Sequence, residues 1–172
     1  MVARCVALGL ASLGASTCYE IEQSSHVTTI SYRHDIVLWS AVAAAVILSV
    51  GIALARHKKL RRFGVVLAGL AVIEGGLAVP SMWRDRVTVS PLGVHQTTGA
   101  WFSPTEKGFQ FADITSVKIH AVDDGRHTNR HWLVRYRDGR LEDIDPGDVW
   151  EDNEAVVVDR VSAAGVKVEI GG

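Results

Sequence analysis

Residues 36–55 read IVLWSAVAAAVILSVGIALA, residues 63–79 read FGVVLAGLAVIEGGLAV, and RHKKLRR joins them at 56–62. The first run carries no charge, and Ser40 and Ser49 are its only polar side chains. As a helix rising about 1.5 Å per residue, 20 such residues cover roughly 30 Å, the hydrocarbon thickness of a bilayer. Trp39, near one end, suits the headgroup level. The second run continues to Trp83 and is interrupted by Glu74, an acid that costs about 2.5–3.5 kcal/mol at membrane depth. Its Leu, Val, Ile and Phe offset that cost, so 63–83 reads as a second span. Glu74 itself reads as a carboxyl near the helix end rather than a proton or ion site, because neither run holds a basic partner. Gly64, Ala68, Gly69, Ala71, Gly75 and Gly76 are small enough to let the two helices lie close together.

The linking segment packs Arg56, Lys58, Lys59, Arg61 and Arg62 into seven residues. Between two apolar runs, such a cluster reads as a short cytoplasmic turn obeying the positive-inside rule. The expectation is a multi-pass protein of the cell (inner) membrane, with its C-terminal domain on the extracytoplasmic side. Charge divides the chain in the same way. Residues 1–83 hold 7 Lys+Arg against 4 Asp+Glu, whereas 84–172 hold 11 against 15. With a mean hydropathy of +0.16 and a net charge of -1, the chain is neither a simple soluble enzyme nor disordered. It also lacks the bulk positive charge on which many nucleic-acid binders rely, so no nucleic-acid partner is expected.

Residues 1–18 form a signal-like leader or short apolar segment, with Arg4 ahead of a run of small residues. Its end, LGASTC at 13–18, resembles the lipobox of bacterial lipoproteins, which would make Cys18 a lipidation site. Thr17 and Ala15 depart from that pattern, leaving an uncleaved or ordinarily cleaved leader as the other reading. Cys5 lies inside the apolar stretch, so a structural disulfide to Cys18 is not expected.

From Arg86 the apolar period changes to two. Residues 86–90 and 94–98 flank Pro91-Leu92-Gly93 as strand, turn, strand. Residues 103–108, SPTEKG, read as a loop by composition, and 114–122 alternate as a half-buried strand. Asp138-Gly139 between 131–137 and 141–144 is the strongest hairpin signal in the chain. Residues 146–164 then carry apolar side chains at helical spacing, with Asp148 as N-cap and Gly165 as the stop. Residues 166–170 close with one more strand. The predicted class is α+β: a transmembrane hairpin, then a small antiparallel barrel or sandwich over 84–172 with one late amphipathic helix.

The stretch RVTVSPLGVHQTTGAWF, followed by GFQFADITSVKI, WLVRYRDGRLEDI and a helix, resembles bacterial membrane-anchored pleckstrin-homology-like domains over about residues 86–164. The resemblance implies a PH-like fold. Phosphoinositide-binding members of that wider fold use basic residues around the first inter-strand loop. Here the loop is Pro91-Leu92-Gly93, with no Lys or Arg, so headgroup binding is not implied. Fold alone supplies no function.

Chemistry is sparse. His120, His127 and His131 lie near Asp123 and Asp124, but a turn between strands does not converge three or four ligands, so exposed histidines are the simpler reading. Acids at 142–154 lack the calcium-loop spacing, and no Gly-x-Ser-x-Gly elbow or phosphate loop appears. Trp101 and Phe102 read as core or membrane-interface residues. The expected function is a membrane-anchored, non-catalytic interaction module whose partners are the lipid bilayer and a protein, with no cofactor. A structural subunit assembled through the hairpin, or a metal protein using the His/Asp turn, are the alternatives.

Overall fold

A computed structural model describes residues 18–24, 26–123 and 128–171. The leader ahead of Cys18, and Asp124 and His127 of the polar turn, lie outside the described residues. The chain divides into two compact units. The first comprises the helical hairpin, residues 32–84, with the turn at 99–103 and residues 18–20. The second takes in 21–31, 85–98 and 104–172.

In the first unit, α1 (His34–Ala55) and a second helical rod, Arg61–Arg84, are both long and apolar enough to cross a membrane. In the 18-residue apolar window of each, only 22% and 11% is buried, whereas a soluble core helix is mostly buried. Leu38, Val46, Val65, Val66, Leu70 and Val72 face outward. The rod begins as α2 (Arg61–Ile73), widens into a π-helical turn at Glu74–Ala78 and ends as α3 (Val79–Arg84). Arg61 and Arg62, expected in the linking turn, instead open α2, with no acidic residue in that first turn. Cations at a helix N-terminus oppose the macrodipole, so they do not stabilise α2 from there.

The helices meet along a seam with almost no side chains. A Cβ on Gly64 would stand 2.2 Å from the Ala55 nitrogen, and one on Gly51 would stand 2.7 Å from the Ala68 nitrogen. Gly64, Ala68, Ala71 and Gly75 recur at the spacing of one helix face, and Gly75 approaches Ala44. Gly69 and Gly76 meet nothing within 4 Å, so they are not part of the seam.

The second unit holds two sheets. One is five-stranded and antiparallel, in order β1 (Tyr19–Gln23), β2 (Thr28–Tyr32), β3 (Arg86–Ser90), β4 (Gly93–Ala100), β5 (Ser103–Gln110). The other runs β8 (Leu141–Ile144), β7 (Thr128–Tyr136), β6 (Ile114–Asp123), β9 (Lys167–Ile170). The Asp138-Gly139 turn joins β7 to β8 as expected, with Gly139 at φ +89°. Four features differ from the sequence expectation. Strands β1 and β2 lie ahead of the hairpin, yet β2 pairs with β3 in the register Ile30↔Val87, and Ile30 is fully buried. The stretch 103–108 is strand rather than loop, because pairing with β4 overrides its polar composition. Strand β9 runs parallel to β6, since the helical segment before it returns the chain in the same direction. The late helix is two pieces, α4 (Asp148–Glu151) and α5 (Glu154–Ala163), with Gly147 and not Asp148 at the N-cap. The strands pair as two sheets that do not close into a barrel.

Large side chains fill the space between them. Trp132 from β7 and Trp150 from α4 meet edge to face at 5.0 Å, and Phe109 from β5 lies 6.5 and 6.3 Å from them. Val117, Ile119, Val134, Val157 and Val161 complete a core with no measurable exposure. Both indole N–H groups lack a partner, a cost of about 1–3 kcal/mol each that the buried ring area outweighs.

Candidate functional site

Where β3 and β4 begin to pair, alternation sends Asp85, Val87 and Val89 to one side, and Val94, Gln96 and Thr98 to the same side. The register Val87↔Gln96, continued by one inward pair, sets Asp85 across from Thr98. The Thr98 hydroxyl donates to Asp85 Oδ2 at 3.3 Å, and Oδ1 is buried without a partner. Gln96 is fully buried; its Oε1 accepts the Gly147 N–H at 3.3 Å, while Nε2 makes no hydrogen bond of normal geometry. A Cβ on Gly147 would stand 2.8 Å from that Nε2, so the glycine permits the approach of the turn before α4. Burial is the main force on the Asp85 carboxyl and pushes its pKa up to about 6. The Thr98 hydroxyl opposes it, Asp148 adds repulsion, and Gln96 and Lys107 pull weakly back. The result is a carboxyl that holds its proton well above the usual carboxylate range, hydrogen-bonded to the Thr98 hydroxyl and repelled by the Asp148 charge. Sequence reasoning passed over Asp85; its parity with Val87 and Val89 was the available signal.

On the outer face of the second sheet, His120 and His131 are directly paired, their rings 5.9 Å apart. His131 Nδ1 lies 3.2 Å from Asp143 and its Nε2 lies 3.8 Å from Asp145. Among the described residues, no three His, Cys, Asp or Glu side chains converge as metal ligands. A shallow groove of about 400 Å³ runs along β4 and β5, lined by Leu92, His95, Glu106, Lys107 and Gln110 among others. Leu92, 77% exposed, stands at its rim.

The sequence-assigned residues are spread across both units. Arg56, Lys58, Lys59, Arg61 and Arg62 are all exposed around the helical turn and make no ion pair among the described residues. Cys18 is a free, half-buried thiol just ahead of β1. Glu74 opens the π turn, where its carbonyl accepts the Val79 N–H. Trp101 and Phe102 form the β4–β5 turn and stack edge to face at 5.6 Å. Compared with known proteins, the chain matches no family model and no curated protein.

Proposed function

We propose that the chain is a membrane-anchored, non-catalytic interaction module: a two-span hairpin in the cell membrane that presents an α+β, PH-like unit to a protein partner on the extracytoplasmic side. The observation that carries it is the pairing of β2 with β3. One strand precedes the hairpin and the other follows it, so a chain that crosses a membrane between them must cross an even number of times. Two helices with outward Leu and Val supply those crossings. The five exposed cations at the turn favour a cytoplasmic turn, and hence the outer side for both strands.

Two sheets around a shared core with a late helix are compatible with the resemblance to bacterial PH-like domains; the parallel β9 and the two strands from ahead of the spans depart from it. Strand addition at an edge is poorly supported. The edge strands carry Glu20 and Glu22, Pro104 and Lys107, Glu142 and Asp143, Lys167 and Glu169, which blunt them against further pairing. The groove rimmed by Leu92 is the better partner surface. Gly51, Gly64 and Gly75 are spent within the hairpin, so assembly of a larger complex through small residues would fall to Gly69 and Gly76.

The test is a photo-crosslinking side chain at Leu92 in the full-length protein in cells, with a phosphatase fused after Gly172. An active fusion and a discrete adduct from Leu92, absent from a Lys167 site, are expected. An inactive fusion would reverse the sidedness. Absence of any adduct from Leu92 would count against the groove as the partner surface.

A further inference from the structure

The hairpin ends in an unusual concentration of open aromatic surface. His34 at the start of α1 lies edge to face on Trp83 near the end of α3, ring centroids 5.2 Å apart, so Trp39 and Trp83 belong to the same end of the hairpin. The Trp101–Phe102 turn is part of the same compact unit. Trp101 Nε1 donates to the Gly76 carbonyl at 2.8 Å, and Arg84 Nη1 donates to the Trp101 carbonyl at 2.8 Å. The turn is therefore held to the second helical rod by its side chain and by its backbone. Trp39, Trp83 and Phe102 are each 63% exposed and Trp101 is 45% exposed. In water, that much apolar ring area carries the full cost of hydration.

Gly76 lies within the π turn, seven residues before Trp83. At roughly 1.5 Å per residue the indole nitrogen of Trp101 reaches about 10 Å below the end of the rod. With Trp83 and Arg84 at the headgroups, that depth is the boundary with the acyl chains, where Trp is favoured. Pro80, four residues on, has no N–H to offer the Gly76 carbonyl, which at that depth needs a donor from protein. Trp101 supplies it.

Building on the two-span reading above, we propose that the Trp101–Phe102 turn is a third membrane contact: an interfacial anchor that reaches through the lipid headgroup layer to the acyl-chain boundary beside the spans and completes an aromatic belt with Trp39 and Trp83. Its occupant is the lipid surface, because the exposed rings are bonded to the second helical rod and belong to the same unit as its outward apolar side chains.

The experiment uses the full-length chain, with Cys5→Ser and Cys18→Ser, in phosphatidylcholine/phosphatidylglycerol vesicles. Single cysteines at Phe102, Val66 or Lys58 carry an environment-sensitive fluorophore, and lipids bearing acyl-chain nitroxides act as quenchers. Quenching at Phe102 should approach that at Val66, on the outward face of α2, and exceed that at Lys58 in the polar turn several-fold. Quenching at Val66 with Phe102 no different from Lys58 would overturn the anchor and leave the spans standing. A Val66 site that is not quenched would overturn the two-span reading, and the anchor with it.

Discussion

The helical hairpin and the β-rich unit are packed by opposite means. In the hairpin, contact comes from removing side chains: Gly51 and Gly64 bring one backbone against the other. In the β-rich unit, contact comes from filling space with Trp132, Trp150 and Phe109. Under the two-span reading proposed above, the difference follows from solvent. In water, burying a large ring is itself a driving force. Between helices in lipid, moving a leucine from tail to neighbour gains little, so association depends on close van der Waals approach.

The sharpest way to break this contrast is to add volume to the seam. Gly64→Val places atoms inside the Ala55 backbone on a site with no flexible neighbour. The helices should separate, with a loss beyond the roughly 1–3 kcal/mol of ordinary overpacking. The readout is the thermal midpoint of helical circular dichroism in lipid nanodiscs. Removing volume from the other unit comes next: Trp150→Ala should cost about 3–5 kcal/mol in denaturant titrations, and Trp150→Phe less, because it also removes an unpartnered N–H.

A smaller effect distinguishes the buried carboxyl from the apolar core around it. The folded Asp85 pKa of about 6 lies above its unfolded value of 3.8, so the folded state holds more protons in between. Stability therefore falls as pH rises from about 4 to 6, and the whole deficit is present above 6. Asp85→Asn should raise stability at pH 8 by about 1–3 kcal/mol and change little below pH 4, as melting curves across that range would show. Gly69→Ala should have the smallest effect. Nothing lies within 4 Å of the added methyl, so helix propensity alone predicts a gain of about 0.5–1 kcal/mol in the same nanodisc melts.

Legibility in the sequence followed the range of the interaction. The two long apolar helices and the Asp138-Gly139 turn are written locally, in runs and dipeptides, and the structure places helices and a hairpin there. Strand β2 is not, because TTISY has no meaning until Ile30 meets Val87 across the whole hairpin. The polar strand β5 was hidden by its composition, and the direction of β9 by the helices before it. Asp85 was hidden by its position at a composition boundary, where a charged residue after an apolar run reads as an exit into water. The resemblance to PH-like domains begins at residue 86 and so leaves out the strands ahead of the helical hairpin.

The β2–β3 pair also imposes an order on biosynthesis. Strand β2 leaves the ribosome well before β3, with both helices and the turn between them still to be made. Until Arg86–Ser90 follows, the edge of β2 has no partner on that side, and Thr28 and Ile30, both buried in the finished unit, remain open. In a chain that crosses twice, membrane insertion becomes a step in folding the sheet rather than a separate event. A hairpin that stalls halfway would keep the two strands on opposite sides of the bilayer, which makes completion of this sheet a built-in proof that both crossings succeeded.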